Sequence, residues 1–173
     1  GLADNNPDVD AIYGLMNEKI KIKFIDNKKI SIGRALTPTN SQNTTWFKHI
    51  SALMYLPTTC SMRETDIYRG YIASNILNKL NLKTLFHSPN LIQNRNDHDL
   101  FNDYQQELPI YQNSAKILEQ LQKLNFSKEK KNLAKCLIKS YKLMIKLGLI
   151  KKTELKYLGA WIKDIQKITE KIL

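Results

Sequence analysis

The chain has 173 residues, 42% hydrophobic and 25% charged, with a net charge of +11 and two cysteines. That is enough apolar material for one ordinary core, and it excludes a disordered chain. No apolar run reaches the roughly eighteen residues a bilayer span needs, so the chain as given is expected to be soluble. Cys60 and Cys136 are too few and too far apart for a disulfide framework or a zinc site, and are read as free thiols. Because the chain opens at Gly1 with neither methionine nor signal peptide, a piece of a longer or processed protein is expected.

In chain order, NNPDVDAIYGL carries helix-start signals: Asn6 as N-cap, Pro7 at the first helical position and acids in the first turn. Gly14 limits this helix to a short one. IKIKFI and KKISIG alternate apolar and charged residues around DNKK, the pattern of two short strands joined by a turn. PTNSQNTTWF is polar and reads as a strand or extended loop; WFKHISALMYLP reads as one or two apolar turns ending at Pro57. Ser61-x-x-Glu64 is a capping box, so a helix should begin near Met62, with Ile67, Tyr68, Tyr71, Ile72, Ile76 and Leu77 facing the core. KTLFHSP predicts a short buried strand, and the polar run from Asn90 to Pro109 an irregular segment with one or two helical turns.

From Ile110 onward the spacing is helical throughout. Ile117, Leu121 and Leu124 form one stripe. Leu133, Cys136, Leu137, Tyr141, Met144 and Leu147 form a second that ends at Gly148. After Thr153 as N-cap, a third runs through Leu155, Leu158, Ile162, Ile165 and Ile168. The architecture predicted is α/β in the α+β sense: a mixed half over residues 1–109 and a helical hairpin or small bundle over residues 110–173. Phe126–Leu173 holds thirteen lysines against four acids, without an arginine, the residue suited to bidentate phosphate and base contacts. A solvated lysine face accounts for most of the positive charge, and nucleic acid is not the favoured partner. A lysine-rich module for nucleic acid or an anionic membrane surface, and a non-catalytic interaction domain, are the rival readings.

Three constellations carry candidate chemistry. In SMRETDIYRGYIASNIL, Asp66, Arg69, Gly70 and Ala73 fall on one side of the helix, away from the densest part of the apolar stripe. A glycine there costs about 1 kcal/mol against alanine. It marks a close approach, either by another backbone, with Asp66 and Arg69 as a local ion pair, or by a ligand. Asp8-Val9-Asp10 has the spacing of a divalent-cation pair, but it follows Asn-Asn-Pro instead of ending an apolar strand, so helix-start acids explain it better. His87 ends an apolar strand, and His98 lies between two aspartates; each reads as a satisfied side chain before a ligand. No Gly-rich phosphate loop, H-E-x-x-H, G-x-S-x-G or C-x-x-C is present.

Taken together, NPDVDAIYGL, NSQNT, SMRETDIYRGYIASNIL and ELKYLGAWIKDI resemble the C-terminal part of the STELLO-type glycosyltransferases. More distantly they are similar to the reversibly glycosylated polypeptides, which include UDP-arabinopyranose mutases. The resemblance implies the acceptor-side half of a GT-A-type fold, a nucleotide-sugar donor with an acceptor, and a divalent metal, Mn or Mg. It places Asp66 at the general base or sugar-positioning acid, with Gly70 leaving room beside it and Arg69 holding it ionised or meeting the diphosphate. Arg63, Arg95, Asn40 and Gln42 become candidates for lining the cleft. Asp8 and Asp10 match a family motif, though not the metal-binding Asp-x-Asp, and His87 stands where such folds sometimes supply a late metal ligand. By the same resemblance the nucleotide-binding half and a membrane anchor would precede Gly1. The fragment alone would then be inactive, and its location cytoplasmic or Golgi-associated.

Overall fold

The computed structural model describes residues 1–17, 21–25, 30–33, 36–97, 99–126 and 133–170. In order these form β1 (Asp4–Asn5), α1 (Ala11–Met16), β2 (Ile30–Ile32), a 3-10 helix (Lys48–Met54) and α2 (Met62–Lys79). They continue as β3 (Leu85–His87), β4 (Ile92–Gln93), α3 (Leu100–Gln122), α4 (Leu133–Lys146) and α5 (Glu154–Glu170). The chain is α+β and rich in helix. Its strands make two small ladders: β1 runs parallel to β4, and β2 runs antiparallel to β3 with Ile30 opposite His87 and Ile32 opposite Leu85.

α2 is the axis of the core. Its start is the capping box that the sequence predicts, with Glu64 accepting the Ser61 N–H at 2.8 Å. Every residue from Tyr68 to Leu77 is buried, so this stretch of the helix is enclosed on all sides and the expected polar side ends at Asp66. Tyr68, Ile72 and Ile76 meet Ile117 and Leu121 of α3, Leu137, Tyr141 and Met144 of α4, and Leu158 of α5 in one cluster. Each such side chain contributes about 1.5–3 kcal/mol by leaving water. Gly148, at φ +78°, takes the left-handed conformation that ends α4: its N–H reaches the Ile145 carbonyl at 2.9 Å, and that of Leu149 reaches Met144 at 3.1 Å.

Several local expectations are corrected. α1 is capped by Asp10, whose carboxylate accepts the Tyr13 N–H at 3.0 Å, and not by Asn6; Gly14 lies inside the helix. KKISIG pairs with LFH and not with IKIKFI, of which Ile22 bridges Asn5; the DNKK turn lies outside the described residues. β3 is half-buried to exposed instead of buried. PTNSQNT forms no strand. Of residues 90–109, read as irregular with one or two helical turns, 92–93 form β4 and 100–109 the first half of α3, a longer helix than expected that continues past Pro109. Pro109 lacks the N–H that Gln105 would use, yet the helix continues, braced by the Ser61 hydroxyl on the Gln106 carbonyl (3.3 Å) and Asn113 Nδ2 on that of Pro109 (2.8 Å).

One acid anchors the helical hairpin of α4 and α5. Glu154 is fully buried at the first position of α5, where a negative charge meets the positive end of the helix dipole. It accepts from the Tyr55 hydroxyl, the Thr58 N–H (3.1 Å), the Thr59 N–H (3.0 Å) and the Thr59 hydroxyl (2.7 Å). Burial first, and then this bond, raise the Tyr55 pKa. The Tyr141 hydroxyl donates to the Tyr55 carbonyl at 3.1 Å, so α4 grips the same segment. Glu154→Ala is expected to strand the buried Tyr55 hydroxyl and remove the acceptor of the Thr58 and Thr59 donors, at a cost of about 3 kcal/mol, read as a lower urea midpoint. An unchanged midpoint would remove Glu154 from this role.

Candidate functional site

The site grows from the clasp between α2 and the loop at 38–42. A Cβ on Gly70 would stand 2.5 Å from the Thr39 nitrogen and 2.8 Å from its carbonyl oxygen, so only glycine lets the loop lie against the helix. Arg69 secures the same residue, donating from Nη2 to the Thr39 carbonyl at 3.1 Å while its guanidinium lies over the Trp46 ring, 5.1 Å from the centroid. The close approach that Gly70 signals is therefore backbone, and no ligand is needed to explain it.

The clasped loop then turns its polar groups onto the opening residues of the chain and onto α2. Asn40 Nδ2 donates to the Asp8 carbonyl (3.3 Å), Gln42 Oε1 accepts the Asp8 N–H (3.1 Å), and the Ser41 N–H reaches Asp66 Oδ2 (2.9 Å). Asp66 is half-buried. Its pKa is raised, chiefly by burial, with the neighbouring charge of Asp8 adding to the rise; the Ser41 N–H and Arg69 oppose it.

Arg63 and Arg95 complete the wall. Arg63 meets Glu107 at 2.5 Å, Asp8 at 3.3 Å and Asp103 at 3.9 Å, while Arg95 meets the same Asp8 oxygen at 3.1 Å. Burial disfavours the charge on Arg63, but the surrounding carboxylates outweigh it and raise its pKa. Asp8, Ser41, Gln42, Arg63, Asp66 and Arg95 line one recess of about 390 Å³. A second recess of about 350 Å³ shares Arg63 and Arg95 with it and extends past Asp10 and Tyr13.

Most of the sequence-predicted site thus converges: Asp8, Gln42, Arg63, Asp66 and Arg95 line the first recess, and Asn40 braces it through Asp8. Arg69 does not join them. It is 4% exposed and turned to Thr39 and Trp46, with burial lowering its pKa, so the role of meeting a diphosphate is withdrawn. Asp10 belongs to the second recess and caps α1. His87 lies outside both, its Nδ1 2.8 Å from the Ser88 carbonyl oxygen and its ring against Gly1; His98 is outside the described residues. Among the described residues no group of three or more His, Cys, Asp or Glu side chains could hold a metal ion. His87 would supply one ligand at most, and these residues do not by themselves fit a Mn or Mg centre.

Two residues escaped the sequence reading. Glu107, 5% exposed, accepts from Arg63, from the Ala11 N–H at 2.8 Å and from the Tyr111 hydroxyl, and Asp103 stands one turn before it on α3. Their spacing of four on a helix was the available signal, hidden by reading residues 90–109 as irregular.

A carboxylate- and arginine-walled recess thus opens beside the N-terminal end of the central helix of this α+β chain. The family model of the STELLO glycosyltransferases matches residues 63–172, and the chain belongs to that family. No curated protein and no solved structure matches it. The matched span contains Arg63, Asp66 and Arg95, whereas Asp8, Asn40 and Gln42 precede it. No helix among the described residues is long and apolar enough to cross a membrane.

Gly70→Ala tests the clasp. The new methyl meets backbone and not a movable side chain, so a loss of about 1–3 kcal/mol in urea unfolding is expected. Wild-type stability would show that the loop is not pressed on α2 as described.

Proposed function

We propose that this chain is the acceptor-side part of a GT-A-type, nucleotide-sugar-dependent glycosyltransferase, with Asp66 as its general base or sugar-positioning carboxylate. The nucleotide-binding half is placed, in the same proposal, in polypeptide ahead of Gly1. The observation that carries the reading is Asp66 itself: a half-buried carboxylate, fixed through Oδ2 by a backbone N–H, lining a recess with a pKa raised by burial. A carboxylate of raised pKa is a stronger base than a solvated aspartate. Family membership supplies the reaction class.

In this reading an acceptor hydroxyl enters the recess and donates its proton to Asp66 as its oxygen attacks the anomeric carbon of the donor sugar. The bond from that carbon to the diphosphate breaks, and the electron pair leaves with the diphosphate. Asp8 holds Arg63 and Arg95 in place, and Gln42 holds Asp8 through its N–H. No step is routed through a metal ion. The expected divalent cation would be bound with ligands beyond this set.

Asp66→Asn keeps the acceptor for the Ser41 N–H and removes the base. In the full-length enzyme, turnover of nucleotide sugar should fall roughly a hundred- to ten-thousand-fold; wild-type turnover would refute the assignment. Stability should move the other way with pH. A carboxylate whose folded pKa lies above its unfolded one favours folding only while protonated, and that contribution is lost as pH rises through the folded pKa. The stability of the Asn variant relative to wild type should therefore increase from acid to neutral pH. A difference that is flat with pH would show that Asp66 is not desolvated.

A further inference from the structure

The second recess has a composition that the proposed chemistry at Asp66 does not use. It is lined by Asn6, Asn17 and Asn96, by Tyr13, and by Asp10 and Asp97, with the Asn17 Nδ2 donating to the Tyr13 carbonyl at 3.0 Å, and it meets the first recess at Arg63 and Arg95. Tyr13 is 40% exposed, so its ring is a wall of the recess and not part of the core. The recess floor includes Gly14, a helix-interior glycine whose added Cβ would find only the methyls of Leu100 within 4 Å, another lining residue. Unlike Gly70, it has no backbone pressed against it.

We propose that this recess is a subsite for a neutral glycan, the part of the acceptor lying beyond the hydroxyl that reacts at Asp66. The proposal rests on the glycosyltransferase reading for the word acceptor, but its ligand chemistry stands on the lining residues. Each amide offers both a donor and an acceptor, as sugar hydroxyls do. An aromatic ring packs against the apolar C–H face of a pyranose, and a few placed polar groups around such a ring fix orientation.

Charge selects against anions. Around the two arginines stand Asp8, Asp10, Asp97, Asp103 and Glu107, and Arg63 and Arg95 are already engaged by Asp8 and Glu107. With both guanidinium groups engaged, the lining carboxylates Asp10, Asp97 and Asp103 leave a negative field in this subsite that disfavours a uronate there. The volume, about 350 Å³, is of the size that small ligands occupy.

The test reads binding and turnover separately on the full-length enzyme. A panel of neutral gluco-, galacto- and manno-oligosaccharides and a uronic-acid oligomer is titrated by saturation-transfer NMR. A neutral oligosaccharide should bind. Tyr13→Ala should weaken it about tenfold or more, and Tyr13→Phe should restore most of it. Asn96→Ala, in an exposed loop position, should weaken it while leaving the unfolding temperature unchanged. The subsite is overturned if no neutral oligosaccharide binds, if the uronic-acid oligomer binds as well as the neutral ones, or if Tyr13→Ala binds as wild type does. Neutral-glycan binding that depends on Tyr13, without any nucleotide-sugar turnover, would support the subsite and refute the role given to Asp66.

Discussion

The recess depends on where Arg63 has been placed. It occupies the second position of α2, at the positive end of that helix, where a cation opposes the dipole and an acid would be preferred. What holds it there is carboxylate from three directions: Asp8 from the N-terminal segment, and Asp103 and Glu107 from α3. Its side chain is 16% exposed and that of Glu107 7%, so these charges interact through a medium much less screening than water. Removing one member of such a network leaves an uncompensated charge, a loss of about 3–5 kcal/mol. Glu107 also accepts the Ala11 N–H and thereby fixes the start of α1. One ion network therefore joins α1, α2 and α3 and sets the boundary between the two recesses.

How far the sequence disclosed this varies with the range of the interactions involved. α2, α4 and α5 were legible because caps and periodicity are local: Ser61 with Glu64, Gly148 at a left-handed turn, and stripes three and four residues apart. The resemblance picked out Asp66, Arg63, Arg95 and Gln42 before any geometry was available, and they share one recess. What stayed hidden was set by partners distant in the chain. β2 chose β3 over its sequence neighbour, a choice no alternation pattern contains. The first half of α3 looked irregular because its acids and amides face a polar network and Pro109 sits within it; one tertiary bond from Ser61 and one side-chain bond within the helix, from Asn113, brace it beside the proline. Glu154 read as one acid among many lysines, yet it is fully buried.

Arg69 and Gly70 show why a local anomaly misleads in detail even when it points to the right place. A helix-interior glycine beside an arginine does mark an unusual surface. Both residues serve the Thr39 backbone, so their effect on chemistry is indirect. Clasping Thr39 brings Ser41 to Asp66, and Asn40 and Gln42 to Asp8. The anomaly is the support, and the acid one turn earlier lines the recess. Enclosure of α2 from Tyr68 to Leu77 leaves its N-terminal end, up to Ile67, to border the recess, with Asn78 and Lys79 exposed at the far end.

Charge follows the same division. The chain is strongly basic, yet the lysines of α4 and α5 at 135, 139, 142 and 146, and at 156, 163 and 167, recur at helical spacing opposite the buried stripes, on solvated faces. The recesses are governed by carboxylates, and their arginines are already paired. Burial and the nearby Asp8 push the Asp66 pKa up, while the Ser41 N–H and Arg69 oppose the rise. A raised Asp66 pKa and recesses walled by carboxylates are thus two consequences of one arrangement: arginines engaged in structure, leaving the carboxylates to set the field.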